Sequence, residues 1–279
     1  MRWRGRASSG NIEDRRGMST GKIAAGGGIG TLAIVLIVWL LGGNPTQLIN
    51  NMQTGTESAA DPSVIEAEAE LAEFAGVVLK DTEDIWNQLF SQGGRTYQEP
   101  ILVLFSGSAQ SACGYSSSAT GPFYCPGDSK VYIDLSFLAD LQRQLGAQGD
   151  FAMAYIIAHE VGHHVQNLLG ITGQLNQLRG RVGEKEYNKE LVKLELQADF
   201  LAGVWAHHAQ RTKNILEEGD IEEAINAANA VGDDRIQMQS QGYVVPDAFT
   251  HGTSEQRKYW FLRGFKTGDL GQGDTFSEL

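Results

Sequence analysis

The chain has 279 residues, of which 42% are apolar and 20% charged, an ordinary globular composition and too apolar for a disordered one. Its 22 Lys+Arg against 34 Asp+Glu give a formal net charge of −12, which argues against a nucleic-acid partner, because neutralising phosphates needs a basic surface. With 6 prolines and 2 cysteines it is neither collagen-like nor a disulfide-dense scaffold.

In chain order, the first segment is basic. Arg2, Arg4, Arg6, Arg15, Arg16 and Lys22 outweigh Glu13 and Asp14 over residues 1–22. From Ile23 to Thr56 there is no charge, and the core of this run, IAAGGGIGTLAIVLIVWLL, matches the roughly 20 apolar residues that span a bilayer. A cleaved signal peptide would have a shorter apolar region and a small-residue cleavage site. A buried globular helix would be weakened by Gly26, Gly27, Gly28 and Gly30. The reading is a single transmembrane helix over 23–43, with 1–22 as a basic cytoplasmic segment by the positive-inside rule. Residues 44–60 then form a polar linker, and 61–279 form a domain on the other side of the membrane.

Asp61 as N-cap and Pro62 at the first helical position open a helix that runs to about Phe90, and Gly93-Gly94 stops it. Ile101–Phe105 and Lys130–Asp134 have strand character. Between them Cys113 and Cys125 bracket a Ser-, Gly- and Pro-rich loop. A disulfide there suits an oxidising compartment, and two buried thiols are the alternative. Residues 135–145, 150–169 and 184–212 read as helices. Asp220 with Glu223, and Thr253 with Gln256, read as capping boxes for helices near 221–232 and up to about Lys266. The fold class is α+β, mostly helical, with a small sheet.

The helix at 150–169 carries His159-Glu160-Val161-Gly162-His163. Residues four apart share a helix face about 6 Å apart along the axis, so both imidazoles can reach one Zn²⁺ at about 2.0–2.1 Å. Glu160 lies beside the ion, where it can act as general base on the activated water. The helix is apolar where the motif begins, and burying such groups without a partner is costly. His164 points about 100° away around the helix and is a poor third ligand. On the next long helix Glu195 and Asp199 share a face that interrupts an apolar run. Glu195 is assigned to zinc and Asp199 to the far N–H of a ligand histidine; the reverse assignment stays open.

These segments, HEVGHH and ELQAD, together with MRWRGR…SGNIEDRRG, CG…GPFYCPGDSKVYIDLSF and HGTSEQR, closely resemble the bacterial neutral zinc metallopeptidase family over nearly the whole chain. HExxH followed by ExxxD is more distantly similar to the gluzincin metallopeptidases, including CAAX-type prenyl proteases. The resemblance implies a zincin-like domain in which His159, His163 and Glu195 hold Zn²⁺ and Asp199 supports them. It implies hydrolysis of a peptide or protein substrate, by a protein anchored in the bacterial inner membrane with its catalytic domain in the periplasm. A zinc-stabilised envelope scaffold that binds without cutting is the alternative, and a hydrolase of other amides or esters is a third.

An oxyanion needs a second donor besides the metal. His251, in a Gly-containing turn before a capped helix, is the candidate, with Tyr132 and Tyr243 as rivals and Arg257 as a residue fixing that loop. The 130–134 strand is a candidate edge for an extended peptide. His207 and His208, near a helix C-terminus, read as structural or surface groups.

Overall fold

The computed structural model describes residues 1–16, 62–117, 121–137 and 149–279, with side chains in the first helix from residue 68 onward. The molecule is mostly helical with a small sheet. Strand β1 (Ile12–Asp14) is followed by helix α1 (Pro62–Gln92), then β2 (Ile101–Phe105), β3 (Ser108–Ser111), β4 (Gly114–Ser117), β5 (Phe123–Cys125) and β6 (Lys130–Asp134). Helices α2 (Asp150–Leu168), α3 (Ile171–Leu178), α4 (Glu184–Lys213), α5 (Asp220–Ala230), α6 (Asp233–Gln241), α7 (Ser254–Thr267) and α8 (Thr275–Glu278) complete it.

The four-stranded sheet has the order β1-β2-β6-β5. β2 is parallel to both β1 and β6, and β5 is antiparallel to β6. β3 and β4 form a separate antiparallel hairpin. Cys113, at its turn, is disulfide-bonded to Cys125 on β5. β6 is therefore an interior strand, which corrects the expectation that 130–134 offers an edge to a peptide: both sides of its backbone are already paired.

α2 is the central helix. Phe151, Met153, Tyr155, Ile157, Val161 and Val165 are all buried, so it is covered on nearly every side, as a helix at the middle of a core must be. It packs against α1, α4 and α5 and touches β5 and β6. α4 is buried only in its second half, from Leu194 to Ala209, and its first turns are solvated. Glu184 and Glu186 in its first turn and Arg211 and Lys213 in its last complement the helix dipole. α7 crosses α4 at a contact between glycines: a Cβ on Gly264 would lie 2.1 Å from the Phe200 carbonyl, so only glycine permits that approach.

The first sixteen residues are part of the same body. Ile12, Glu13 and Asp14 pair in parallel with Leu102, Val103 and Leu104. Met1 and Trp3 are buried, with the Trp3 ring edge-on to Phe74 of α1 at 5.5 Å. Ser9 N–H donates to Gly76 O, Arg6 pairs with Asp81, and Lys130 pairs with Glu13 at 2.6 Å. The Met1 amine sits 2.5 Å from Asp150 and 3.3 Å from Asp220.

This packing corrects the single-pass topology. One crossing between residues 23 and 43 would leave residues 1–22 and the helical body on opposite faces of a bilayer, yet β1 is a strand of that body's sheet. Among the described residues no helix is long and apolar enough to cross a membrane. The expected span 23–43, the linker 44–60 and the Asp61 cap lie outside the described residues. A fold preceded by a membrane helix, with a cytoplasmic N-terminus and a periplasmic domain, is accordingly replaced by one body to which both parts of the chain contribute.

Smaller expectations fared differently. Thr253 and Gln256 do form a capping box. Asp220 and Glu223 do not: Gly219 is the N-cap of α5, Asp220 accepts from the Glu217 N–H and the Met1 amine, and Glu223 accepts from the Phe151 N–H at the start of α2. Of the expected helix at 135–145, residues 135–137 are helical and the rest lies outside the described residues.

Candidate metal centre

α2 and α4 meet face to face at Gly162 and Ala198. A Cβ on Gly162 would lie 3.1 Å from Ala198 O and 3.2 Å from Ala198 Cα, so the absent side chain sets how closely the helices approach. On either side of that contact α2 presents His159 and His163, and α4 presents Glu195 and Asp199. The structure brings all four together. His159 Nε2 stands 3.2 Å from Glu195 Oε2, and His163 Nε2 stands 3.4 Å from Glu195 Oε1. One donor atom from each of the three residues lies within 4.8 Å of the others.

Each imidazole is fixed from behind. His159 Nδ1 donates to Asp199 Oδ1 at 2.8 Å, and His163 Nδ1 to Gln166 Oε1 at 2.8 Å. Both Nε2 atoms are thereby left to converge on the Glu195 carboxylate. Asp199 is fully buried and receives four donors: Tyr155 OH, His159 Nδ1–H, and the Nε and Nη2 of Arg257 at 2.8 and 2.9 Å. Three of these donors fall on Oδ1 and one on Oδ2. Burial alone would push Asp199 up, but Arg257 and His159 beside it outweigh that and hold it at about 2. Burial works to lower His159, yet the Asp199 carboxylate and then Glu195 raise it to about 10. Glu195 is held well below the usual carboxylate range despite its burial, chiefly by His163 and His159.

These residues fit a zinc ion. Donors about 2.1 Å from a tetrahedral ion lie about 3.4 Å apart, which is the spacing found between the imidazole nitrogens and the carboxylate oxygens. The donor set, two imidazoles and one carboxylate, is that of a catalytic rather than a closed structural site. The electrostatics agree, because the group's fields favour positive charge between the Nε2 atoms and Glu195.

Glu160 is 8% exposed and makes no hydrogen bond among the described residues, so its carboxylate is unengaged beside His163. His164 turns away, with Nε2 donating to Gln98 O at 2.6 Å and Nδ1 accepting from Tyr124 OH, and burial pushes it down. His251 lies within Coulombic reach of Glu195. Its Nδ1 is 3.1 Å from Asp233 Oδ1, and its backbone N–H donates to Asp233 Oδ2 at 2.6 Å. The His251 side chain is 51% exposed; what desolvation it suffers opposes protonation, but Asp233 and Glu195 raise it above the ordinary histidine value.

The rival donors are placed elsewhere. Tyr132 OH donates to Asp128 at 2.8 Å, its ring stacks on Phe123, and burial with Asp128 pushes it up to about 12. Tyr243 is 60% exposed. Arg257, expected to fix the His251 loop, instead spends its charge on Asp199 and reaches only Val231 O at 3.4 Å on that side. His207 and His208 bond Phe265 O and Gly268 O, tying α4 to the end of α7. Sequence reasoning missed Tyr155, Gln166 and Asp233. Tyr155 and Gln166 carried a signal, lying four residues before His159 and three after His163 on the same helix face. Asp233 carried none.

The chain matches the family described as "Putative neutral zinc metallopeptidase" over residues 1–276 and belongs to that family. It is 50% identical over 287 aligned residues to "Uncharacterized protein YpfJ" of Escherichia coli (strain K12), covering 100% of this chain and 99% of that one. It is 46% identical over 192 residues to "Uncharacterized protein Rv2575" of Mycobacterium tuberculosis (strain ATCC 25618 / H37Rv), covering 65% and 64% of the two chains. No solved structure matches significantly.

Proposed function

We propose that the chain hydrolyses peptide bonds as a zinc-dependent endopeptidase, with His159, His163 and Glu195 holding the metal. The observation that carries this reading is the convergence of two imidazole Nε2 atoms on one carboxylate at 3.2 and 3.4 Å, with Glu160 next to His159 on the same helix. When bound, the ion supplies Lewis acidity to the attacking water and to the scissile carbonyl. Glu160 takes the proton of that water and passes it to the departing amine nitrogen. His251, whose hold on a proton Asp233 and Glu195 strengthen, offers an N–H to the oxygen on which negative charge develops. Asp199, neutralised by Arg257, keeps the His159 proton on Nδ1.

The test is Glu160→Gln. It should keep about one zinc per chain and lower the rate of casein cleavage by roughly 10²–10⁴, the usual contribution of a general base. His163→Ala, measured beside it, should lose the metal as well as the activity. Unchanged cleavage in Glu160→Gln would falsify the mechanism. Zinc bound by a wild type that cuts nothing would favour the scaffold alternative.

A further inference from the structure

The two metal-facing imidazoles are not held alike. His159 leans on a carboxylate that carries its own guanidinium, whereas His163 leans on the neutral amide of Gln166. An amide can present either its oxygen or its nitrogen, so on its own it does not decide which nitrogen of His163 carries the proton. The surroundings decide it. Gln166 is fully buried, and one end of its amide lies 2.7 Å from the backbone carbonyl of Leu194 on α4. A carbonyl oxygen only accepts, so that end is the NH₂. The same NH₂ lies 3.1 Å from Gln197 Oε1, and the Gln197 NH₂ is in turn fixed by another carbonyl, Gly273 O, at 3.0 Å. Both amides are thus oriented by backbone acceptors. The oxygen of Gln166 then faces His163 Nδ1 at 2.8 Å, and Nδ1 has to donate.

We propose that Gln166 is the positioning residue for His163. Locked by Leu194 O and, through Gln197, by Gly273 O, it holds the imidazole with a proton on Nδ1 and its Nε2 turned toward Glu195. Assigning Nε2 to zinc rests on the metallopeptidase reading; the Nδ1 proton placement does not. The choice of an amide also follows from charge. Glu195 already supplies the centre with an anion that faces only imidazoles, while Asp199 is matched by Arg257. A second carboxylate behind His163 would stand against the Leu194 carbonyl and Gln197 Oε1, acceptors both.

The experiment compares wild type with Gln166→Met, which keeps the side-chain length and removes both hydrogen-bonding ends. The His163 Nδ1 proton, followed by NMR in ¹⁵N-histidine-labelled full-length protein, should be slow to exchange in the wild type with and without zinc. It should exchange rapidly in the variant. Zinc affinity, measured by competition with a chelator, should fall roughly 10–100-fold, as for loss of a partner behind a ligand histidine. A folded Gln166→Met with a protected Nδ1 proton and unchanged affinity overturns the proposal. If that variant does not fold, Gln197→Met decides. A few-fold loss of affinity with faster exchange supports the relay, and no change in either overturns it. A wild type that protects the proton yet binds no zinc would sink the metallopeptidase reading and leave the role of Gln166 standing.

Discussion

α2 carries a charge cluster at each of two levels, one partly exposed and one buried, and they are solved differently. At its first residue Asp150, with Asp220 and Glu217, surrounds the Met1 amine at 2.5–3.3 Å, while Glu223 accepts from the Phe151 N–H. Here acids outnumber the one cation, and the surplus appears as raised pKa values. Burial first, then its negative neighbours, push Glu223 up to about 7, and burial raises Asp220. Two turns further on, Asp199 has a guanidinium to itself and stays at about 2, while Glu195 faces imidazoles. The acids around Met1 include one pushed toward protonation. The proposed metal centre instead holds both of its carboxylates below their ordinary values, with both Nε2 atoms facing Glu195.

The sharpest way to break this contrast is to remove the guanidinium. Arg257→Met leaves Asp199 buried with an unmatched charge and should cost about 3–5 kcal/mol of stability by urea unfolding, the usual effect of deleting one partner of a buried pair. A loss below about 1 kcal/mol would show that Asp199 is not held as described. Next is Gly162→Ala. Its Cβ would press on Ala198 O at 3.1 Å, an overpacking cost of about 1–3 kcal/mol against a gain of about 1 kcal/mol in helix propensity. The expected net loss is about 1 kcal/mol in thermal melts, together with weaker zinc binding as the two donor-bearing helices part. Unaltered zinc affinity would mean that the helix approach does not set the donor spacing.

The smallest effect belongs to the acid-rich end. The folded-state value of Glu223, about 7, lies above its ordinary 4.5. Its contribution to stability is therefore present below pH 4.5 and lost as pH rises through about 7. Glu223→Gln keeps an acceptor for Phe151 N–H and removes the titration, so unfolding midpoints should fall less steeply over that window. Solvent screening limits the difference to less than about 1 kcal/mol. Parallel profiles for wild type and variant would place the titration elsewhere.

The meeting of these four side chains was legible in the sequence because helix periodicity converts a spacing of four into a shared face, twice: His159 with His163, and Glu195 with Asp199. The long helices were legible from periodic burial, and the strands Ile101–Phe105 and Lys130–Asp134 from short, almost continuously buried, mostly apolar runs. What escaped depends on contacts distant in sequence. Arg257 reaches Asp199 across 58 positions, Asp233 reaches His251 across 18, and no local pattern announces either. α6 escaped because Gln237, Gln239, Ser240 and Gln241 give it no apolar stripe. β1 is three residues long and mostly charged, and the uncharged run that follows drew the reading toward a span.

β1 has a practical side. Trimming the protein to its long C-terminal portion would look natural from the order of segments, but it would unzip the outer row of the sheet and leave one flank of Ile101–Phe105 bare, a template for sticking to other chains. It would also uncover the surface of α1 beneath Trp3. Arg16 already touches Glu68 O at 3.2 Å, near the start of α1. Splicing out the interval between 16 and 62 and rejoining the ends with a short flexible bridge would keep head and body together where amputation would not.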